Sequence, residues 1–247
     1  MNRTLAFSGR NARELLRDPL TLAFGIGFPV VLITLISLMT RSIPEMSQST
    51  FGIGSFAPGM AVFGLSFISL FLAMLIAGDR ESAFLMRIFA SPMTAAEYIA
   101  GYALPLLPVA LLQGAVCFAW AAVFGLKLTA GIAAALLTLL PVSLLYISLG
   151  ILLGCVLTYR QVGGVASIII NLSAWLSGTW FDPDLIGGAF RGICRALPFY
   201  HAVGAVKAAA AQNWGEIWPH LAVVLLYAAA AGAAGVILFR RRMQGRQ

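Results

Sequence analysis

The chain has 247 residues, 60% of them hydrophobic and 10% charged, with a mean hydropathy of +0.92. A soluble domain carries about 25% charged residues, so this composition leaves too little polar surface for a water-soluble globule and excludes a disordered chain. The net charge of +7 does not indicate nucleic acid, because the basic residues stand beside the long apolar runs of a polytopic all-α membrane protein.

In chain order, the first element is a helix over Thr4–Asp18. Arg10, Arg13, Glu14 and Arg17 share one face, Leu5, Ala12, Leu15 and Leu16 the opposite one, and Phe7 falls on the polar side. Such a helix lies flat at the membrane interface with its arginines toward lipid phosphates. Plain anchoring by positive charge explains the same arginines. Asp18-Pro19 turns the chain into the membrane.

Charge-free runs of spanning length follow at Leu20–Thr40, Met46–Ala77, Tyr98–Leu126, Leu128–Tyr159, Gln161–Phe181 and Ile217–Phe239. About 20 apolar residues cross a bilayer, so six spans are expected, with both ends of the chain on one side. That side would hold Arg3, Arg10, Arg13, Arg17, Arg80, Arg87, Arg160, Arg240, Arg241, Arg242 and Arg246, eleven of the 16 basic residues, which makes it the cytoplasm. The other side would hold Arg41, Lys127, Arg191, Arg195 and Lys207, and the five tryptophans lie toward that end of their segments. No cleavage site of a secretory signal follows the first run. Pro29, Pro105, Pro108 and Pro141 would loosen spans one, three and four.

Charge concentrates between spans two and three, at residues 78–97. Asp79 and Glu81 are expected at the start of a short helix, Phe84, Leu85, Ile88 and Phe89 form an apolar ridge, and Pro92 ends it. Thr94 with Glu97 three residues on predicts a capping box. A rigid charged helix with exposed aromatics suits docking on a cytoplasmic partner; an ordinary capped connection is the alternative.

Residues 182–215 are too long for a turn and too apolar for a solvated loop. They read as two short helices, Leu185–Leu197 and Phe199–Gln212, broken at Pro198, in a re-entrant hairpin on the outer face. An amphipathic surface loop is the plainer reading. Asp182 and Asp184 flank Pro183 where a helix cap is expected.

Chemistry is sparse. There is no phosphate-binding G-x-x-x-x-G-K-[ST], no H-E-x-x-H and no G-x-S-x-G. His201 and His220 are the only histidines, both expected outside. Cys117, Cys155 and Cys194 read as structural. No ionisable residue sits securely within a span, which disfavours a proton-coupled carrier or channel. Gln113, Ser143, Tyr146, Ser148 and Asn171 are the main polar groups there. A membrane enzyme acting on lipid headgroups is the rival from another class, and it would have to use Asp182 and Asp184.

The stretch from Asp79 to Pro92 resembles the cytoplasmic signature of type-2 ABC exporter permeases: acidic-Arg-Glu, a small residue, Leu, a downstream Arg and a closing Ser-Pro. Asp79, Arg80, Glu81, Leu85, Arg87, Ser91 and Pro92 match it; Ala83 replaces the usual Gly, and Phe84 the usual Thr or Ser. A second stretch, from Ser177-Gly178-Thr179-Trp180-Phe181 through Pro183 to Leu197-Pro198-Phe199-Tyr200-His201-Ala202-Val203, is similar to the family's outer motif after span five. The topology agrees with the family's over the whole chain, and the chain is similar to daunorubicin-resistance permeases.

The resemblance implies a single transmembrane permease domain with an interface helix at 1–19, a coupling segment at 78–97 and the outer hairpin at 182–215. It implies a homodimer in a bacterial inner membrane, above two copies of a separate P-loop ATPase that binds ATP and Mg; no cofactor is expected in this chain. Asp79, Arg80, Glu81, Phe84, Leu85, Arg87, Ser91 and Pro92 would couple to that ATPase, and the interface helix with Arg10, Arg13, Glu14 and Arg17 would add to the contact. Thr34, Ser37, Ser66, Ser69, Ser167 and Asn171 would line the path, with Pro183, Pro198 and Tyr200 shaping the outer hairpin. The expected cargo is a drug, antibiotic or amphipathic small molecule, with polysaccharide or lipid-linked glycan export as the alternative.

Overall fold

The computed structural model describes residues 3–19, 23–43, 45, 50–82 and 93–244, and among these the regular structure is helical, with no strand. α1 is Arg3–Arg17. A π-helical turn, Ala23–Gly27, leads into α2, Phe28–Ser42. α3 is Ile53–Glu81, and α4, Ala95–Ala103, runs into α5, Leu106–Val123. α6 is Ala130–Val156 and α7 is Tyr159–Leu176. Three short helices follow: α8 (Pro183–Ile186), α9 (Gly188–Ala196) and α10 (Pro198–Ala210). α11 is Trp214–Gln244.

Five segments are long and apolar enough to cross a membrane: Ala23–Ser42, Ile53–Glu81, Ala95–Val123, Ala130–Val156 and Trp214–Arg240. α7 is not among them. It has 18 residues, and Arg160, Gln161 and Asn171 dilute its apolar character. Large apolar side chains such as Leu112, Leu137, Ile168 and Leu226 remain more than half exposed. In a helical bundle of this composition they are the surface offered to lipid.

α3 is the central post, with 83% of its apolar window buried against 22% for α11. Its small residues let neighbours come close. Gly150 and Gly154 on α6, four apart and so on one face, lie directly against Ser69, Leu72, Ala73 and Ile76 of α3. This is the small-residue packing by which helices associate where no hydrophobic effect drives them together. α6 and α11 run in the same direction, since Gly232 lies against Ser148 and Gly235 against Ile151.

The sequence-predicted prolines act in two ways. Pro105 stands between α4 and α5 and breaks the segment there, whereas Pro141 is carried inside α6. Pro29 stands in the first turn of α2, where a missing N–H costs nothing. The capping box on α4 is present: the Glu97 N–H donates to Thr94 Oγ1 at 3.3 Å and the Thr94 N–H to Glu97 Oε2 at 2.6 Å. A second box, Thr158 with Gln161 on α7, has the same Thr-x-x-polar spacing.

Between α7 and α11 the expected helix over Leu185–Leu197 is in fact two pieces. Gly187 adopts φ 71°, a left-handed conformation that favours glycine, and separates α8 from α9. Asp182 caps α8, accepting from the Asp184 N–H at 2.9 Å, so capping accounts for this carboxylate pair. Pro198 opens α10. The Phe199 ring lies beside Tyr146, halfway along α6, while Ala210 abuts Gly131 at its start. α10 therefore runs antiparallel to the first half of α6, and its beginning is embedded in the bundle.

Candidate functional site

At the end of the bundle that carries α1, three consecutive residues close the last turn of α3, and each is bound to a different part of the chain. Asp79, buried at 5% exposure, accepts from Arg10 Nη1 at 2.7 Å and Nη2 at 3.0 Å, and from the Tyr102 hydroxyl at 2.8 Å. Arg80 donates from Nη1 to the Gly154 carbonyl and, at 3.1 Å, to the Leu157 carbonyl. These carbonyls end α6, where a cation is favoured by the helix dipole. Glu81 accepts from the Tyr159 N–H at 2.8 Å, at the start of α7, where a carboxylate is favoured for the opposite reason. One turn of α3 thus gathers α1, α4, α6 and α7.

This corrects the expected placement. Asp79 and Glu81 end a long helix, with Ser82 as its cap, and do not begin a short one. A carboxylate, a guanidinium and a carboxylate in sequence are the types needed to meet a guanidinium, helix-end carbonyls and a helix-start N–H. Of the remaining residues of the signature, Phe84, Leu85, Arg87, Ser91 and Pro92 lie outside the described residues.

α1 is docked through Phe7, Asn11 and Leu15, one residue per turn, all buried. The Phe7 ring packs edge-on against Tyr98 and Tyr102, with centroids 5.6 and 4.9 Å apart, and Asn11 Nδ2 donates to the Gly101 carbonyl at 3.1 Å. The residue that interrupts the apolar stripe of the sequence is therefore the anchor. Leu5 and Leu16 stay exposed at 61% and 62%, so α1 has a protein-facing edge and a separate apolar face, with the arginines between them. Burial alone would lower the pKa of Arg10, but the hydrogen bonds and charge of Asp79, aided by Glu14 at 2.6 Å, raise it above the ordinary value. Arg13 donates to the Gly9 carbonyl of its own helix, and Arg17 borders a surface hollow with Arg10, Arg13 and Glu14.

Phe7→Ala is expected to remove about 3 kcal/mol of docking energy, the usual loss for a buried phenylalanine. Limited trypsin digestion should then cut at Arg13 and Arg17 several times faster than in the unaltered protein, with α3 to α11 intact.

The candidate path residues do not converge within one chain. Ser66 and Ser69 are buried where α3 meets α6 and α7, near Tyr146 and Ser173. Ser37 and Thr40 border a cavity of about 540 Å³ at the other end of the bundle, with Arg41, Ser55 and Phe124. Thr34 donates to the Val30 carbonyl and accepts from Trp120 Nε1. Ser167 and Asn171 lie exposed on α7 and bond to that helix's own carbonyls.

The outer motif holds a turn together. Gly178 has φ 74° and accepts from Lys207 Nζ at 2.9 Å; Ser177 Oγ bonds Thr179 Oγ1; and Trp180 packs edge-on against Phe56. Pro183 and Pro198 are buried. Tyr200 packs edge-on against both histidines. His201 Nδ1 and His220 Nδ1 are 2.9 Å apart, and His201 Nε2 is 2.9 Å from the Arg195 carbonyl. Because that carbonyl can only accept, Nε2 carries a proton and the pair shares one more between the two Nδ1 atoms. Sequence reasoning missed this pairing, for which only the scarcity of histidine was a signal. Cys117, Cys155 and Cys194 are buried.

Among curated proteins, none matches the chain. A family model described as ABC-2 type transporter matches residues 3–210, from α1 through the end of α10. With the apolar helices above and this match over most of its length, the chain belongs to the ABC-2 type transporter family, as an integral membrane permease component without an ATPase site of its own.

Proposed function

We propose that this permease is the membrane half of an ATP-driven exporter, with a drug, antibiotic or other amphipathic small molecule as cargo. In this reading α7 joins the five longer segments as a sixth span, both chain ends face the cytoplasm of a bacterial inner membrane, and residues 182–215 form a hairpin re-entering from outside. Two copies pair, and two copies of a P-loop ATPase dock on the segment that follows α3 and on α1.

The observation that carries the reading is the turn Asp79-Arg80-Glu81. A segment that emerges from a turn tied to α1, α4, α6 and α7 cannot be pushed or rotated without moving those helices, which is what a transmission point requires. In the family the ATPase supplies the phosphoryl chemistry with its own ATP and Mg; this chain converts the resulting movement into an opening. Asp182 and Asp184 serve as helix cap and as partner of Arg195, which donates to Asp184 at 2.9 Å. That leaves the enzyme reading without its carboxylate pair.

The test is a mild-detergent purification of tagged protein from its native host, with partners identified by mass spectrometry. A P-loop ATPase in equal amount is expected, lost on Arg87→Glu in the docking segment while the permease still purifies folded. A chain that purifies alone in several detergents overturns the reading.

A further inference from the structure

At the end of the bundle away from α1, the last turns of α2 and the start of α3 border the cavity of about 540 Å³. α2 contributes Ser37, Thr40 and Arg41, the start of α3 contributes residues 52–55, and Phe124, the cap of α5, completes the lining. Among the described residues that line it there is neither an aspartate nor a glutamate. The roles above give this cavity no use.

The groups gathered there are hydrogen-bond donors. The Ser55 and Phe56 N–H groups donate to the Gly52 carbonyl at 2.9 and 2.8 Å. Those of Ile53 and Gly54, the first of a 29-residue helix, meet no acceptor among the described residues. Helix starts leave such groups over and carry the positive end of the dipole, and Gly52 has no side chain to cap them. A Cβ on Gly54 would touch nothing within 4 Å, and its φ is not positive. Neither packing nor backbone conformation calls for glycine there, and its effect is to leave the N–H groups open. The independent sign of a ligand is Ser37, only 6% exposed. Its carbonyl accepts from Thr40 Oγ1 at 3.0 Å, but its hydroxyl has no partner among the described residues, a costly state for a buried polar group. The Arg41 guanidinium lies 5.5 Å from the centroid of the Phe124 ring, within reach of a cation–π contact. The dipole of α2 favours a cation in its last turn. That accounts for the charge of Arg41, but not for the open N–H groups and the unpaired hydroxyl beside it.

We infer that this cavity binds a phosphate group, whose oxygens accept from the Ile53 and Gly54 N–H groups and the Ser37 hydroxyl, with Arg41 as the counter-charge. A cation would meet Arg41 and the positive end of α3, and an uncharged apolar group would leave the hydroxyl and both N–H groups unpaired. The phosphate belongs either to a lipid headgroup of the leaflet at this end or to free phosphate in solution. That this leaflet is the outer one rests on the topology proposed above, whereas binding itself needs neither the ATPase nor the cargo.

Arg41 is exposed and can report its own occupancy through phenylglyoxal, which modifies accessible guanidinium groups. The purified chain in a nonionic detergent is treated with the reagent, and modification of Arg41 is followed by peptide mass spectrometry. Inorganic phosphate and phosphatidylglycerol are the probes; chloride at matched ionic strength and a glucosyl diacylglycerol, which has no phosphate, are the comparisons. A saturable slowing at Arg41 of about tenfold is expected, the worth of one charge-assisted hydrogen bond. Protection by inorganic phosphate identifies the free anion as ligand, and protection by phosphatidylglycerol alone identifies a lipid headgroup. Gly54→Leu, whose side chain enters the open space beside the N–H groups, should abolish protection, and Ser37→Ala should weaken it, with the unprotected rate at Arg41 unchanged. Ile53→Pro, which removes one N–H at a position where a helix accepts proline, serves if Gly54→Leu does not fold. No protection by either probe overturns the inference, as does equal slowing by chloride or by the glucosyl lipid. Protection that survives in all three variants also overturns it, because Arg41 alone would then be holding the ion.

Discussion

Replacing Asp79 with alanine is expected to destabilise the protein by about 3 kcal/mol, within the range for removing one partner of a buried ion pair. The loss exceeds that of a surface salt bridge, worth at most about 1 kcal/mol, because Asp79 and Tyr102 are almost wholly buried, at 5% and 1% exposure. The substitution leaves the Tyr102 hydroxyl without its acceptor and takes from the part-buried Arg10 guanidinium the carboxylate that it meets with both Nη atoms. Adding Tyr102→Phe removes one stranded donor and should recover about 1 kcal/mol. Adding Arg10→Met should cost little more than Asp79→Ala alone, because the pair acts as a unit. Thermal unfolding in detergent, monitored by size-exclusion fluorescence, provides the comparison. Equal melting temperatures for Asp79→Ala and the unaltered protein would show that the tie adds nothing to stability.

The second large effect belongs to Gly154→Leu. A Cβ at position 154 would lie 2.8 Å from Ile76 Cβ and 3.0 Å from the Ala73 carbonyl oxygen, and at Gly150 2.7 Å from the Ser69 carbonyl oxygen. Backbone atoms cannot swing aside as a side-chain tip can, so α6 must move away from α3. Overpacking a close-packed contact costs roughly 1–3 kcal/mol, and here the separation also pulls the Gly154 and Leu157 carbonyls from Arg80. The expected result is a chain that inserts but fails to give a monodisperse folded peak. Gly154→Ala should show a smaller loss in the same direction. A leucine variant as stable as the parent would mean that α3 and α6 do not touch at Gly154.

These two sites show how much of the molecule was legible beforehand. Apolar runs of spanning length, the Thr94 cap and the Asp182 cap depend on residues close in sequence: both caps are in place, and five of the six runs form segments long and apolar enough to cross a membrane. The break at Gly187 was missed although Gly187-Gly188 is a turn signal; both glycines adopt a positive φ, and the apolar residues around them had suggested one continuous helix. The docked edge of α1 was missed for another reason: hydrophobic periodicity separates apolar from polar faces, whereas α1 is held by Phe7, Asn11 and Leu15, a mixed edge whose partners come from α4. Gly150 and Gly154 showed the spacing of a close approach, but only the position of α3 gives that spacing a partner. The signature residues Asp79, Arg80 and Glu81 are adjacent in sequence, while their bonds run to residues 23 to 78 positions away, and local pattern carries no record of those distances.

The same separations have a consequence for synthesis. α1 leaves the ribosome before its partners, since Asp79 follows Arg10 by 69 residues and Gly101 follows Asn11 by 90. α1 therefore has to wait, folded or not, while two apolar segments are inserted ahead of its binding partners. Leu5 and Leu16, still exposed in the finished protein, give it a means of staying at the bilayer surface during that delay. Locking of α1 then marks the moment at which the third segment has arrived in register, so an error in membrane insertion upstream leaves a trypsin-sensitive amino terminus as its visible trace.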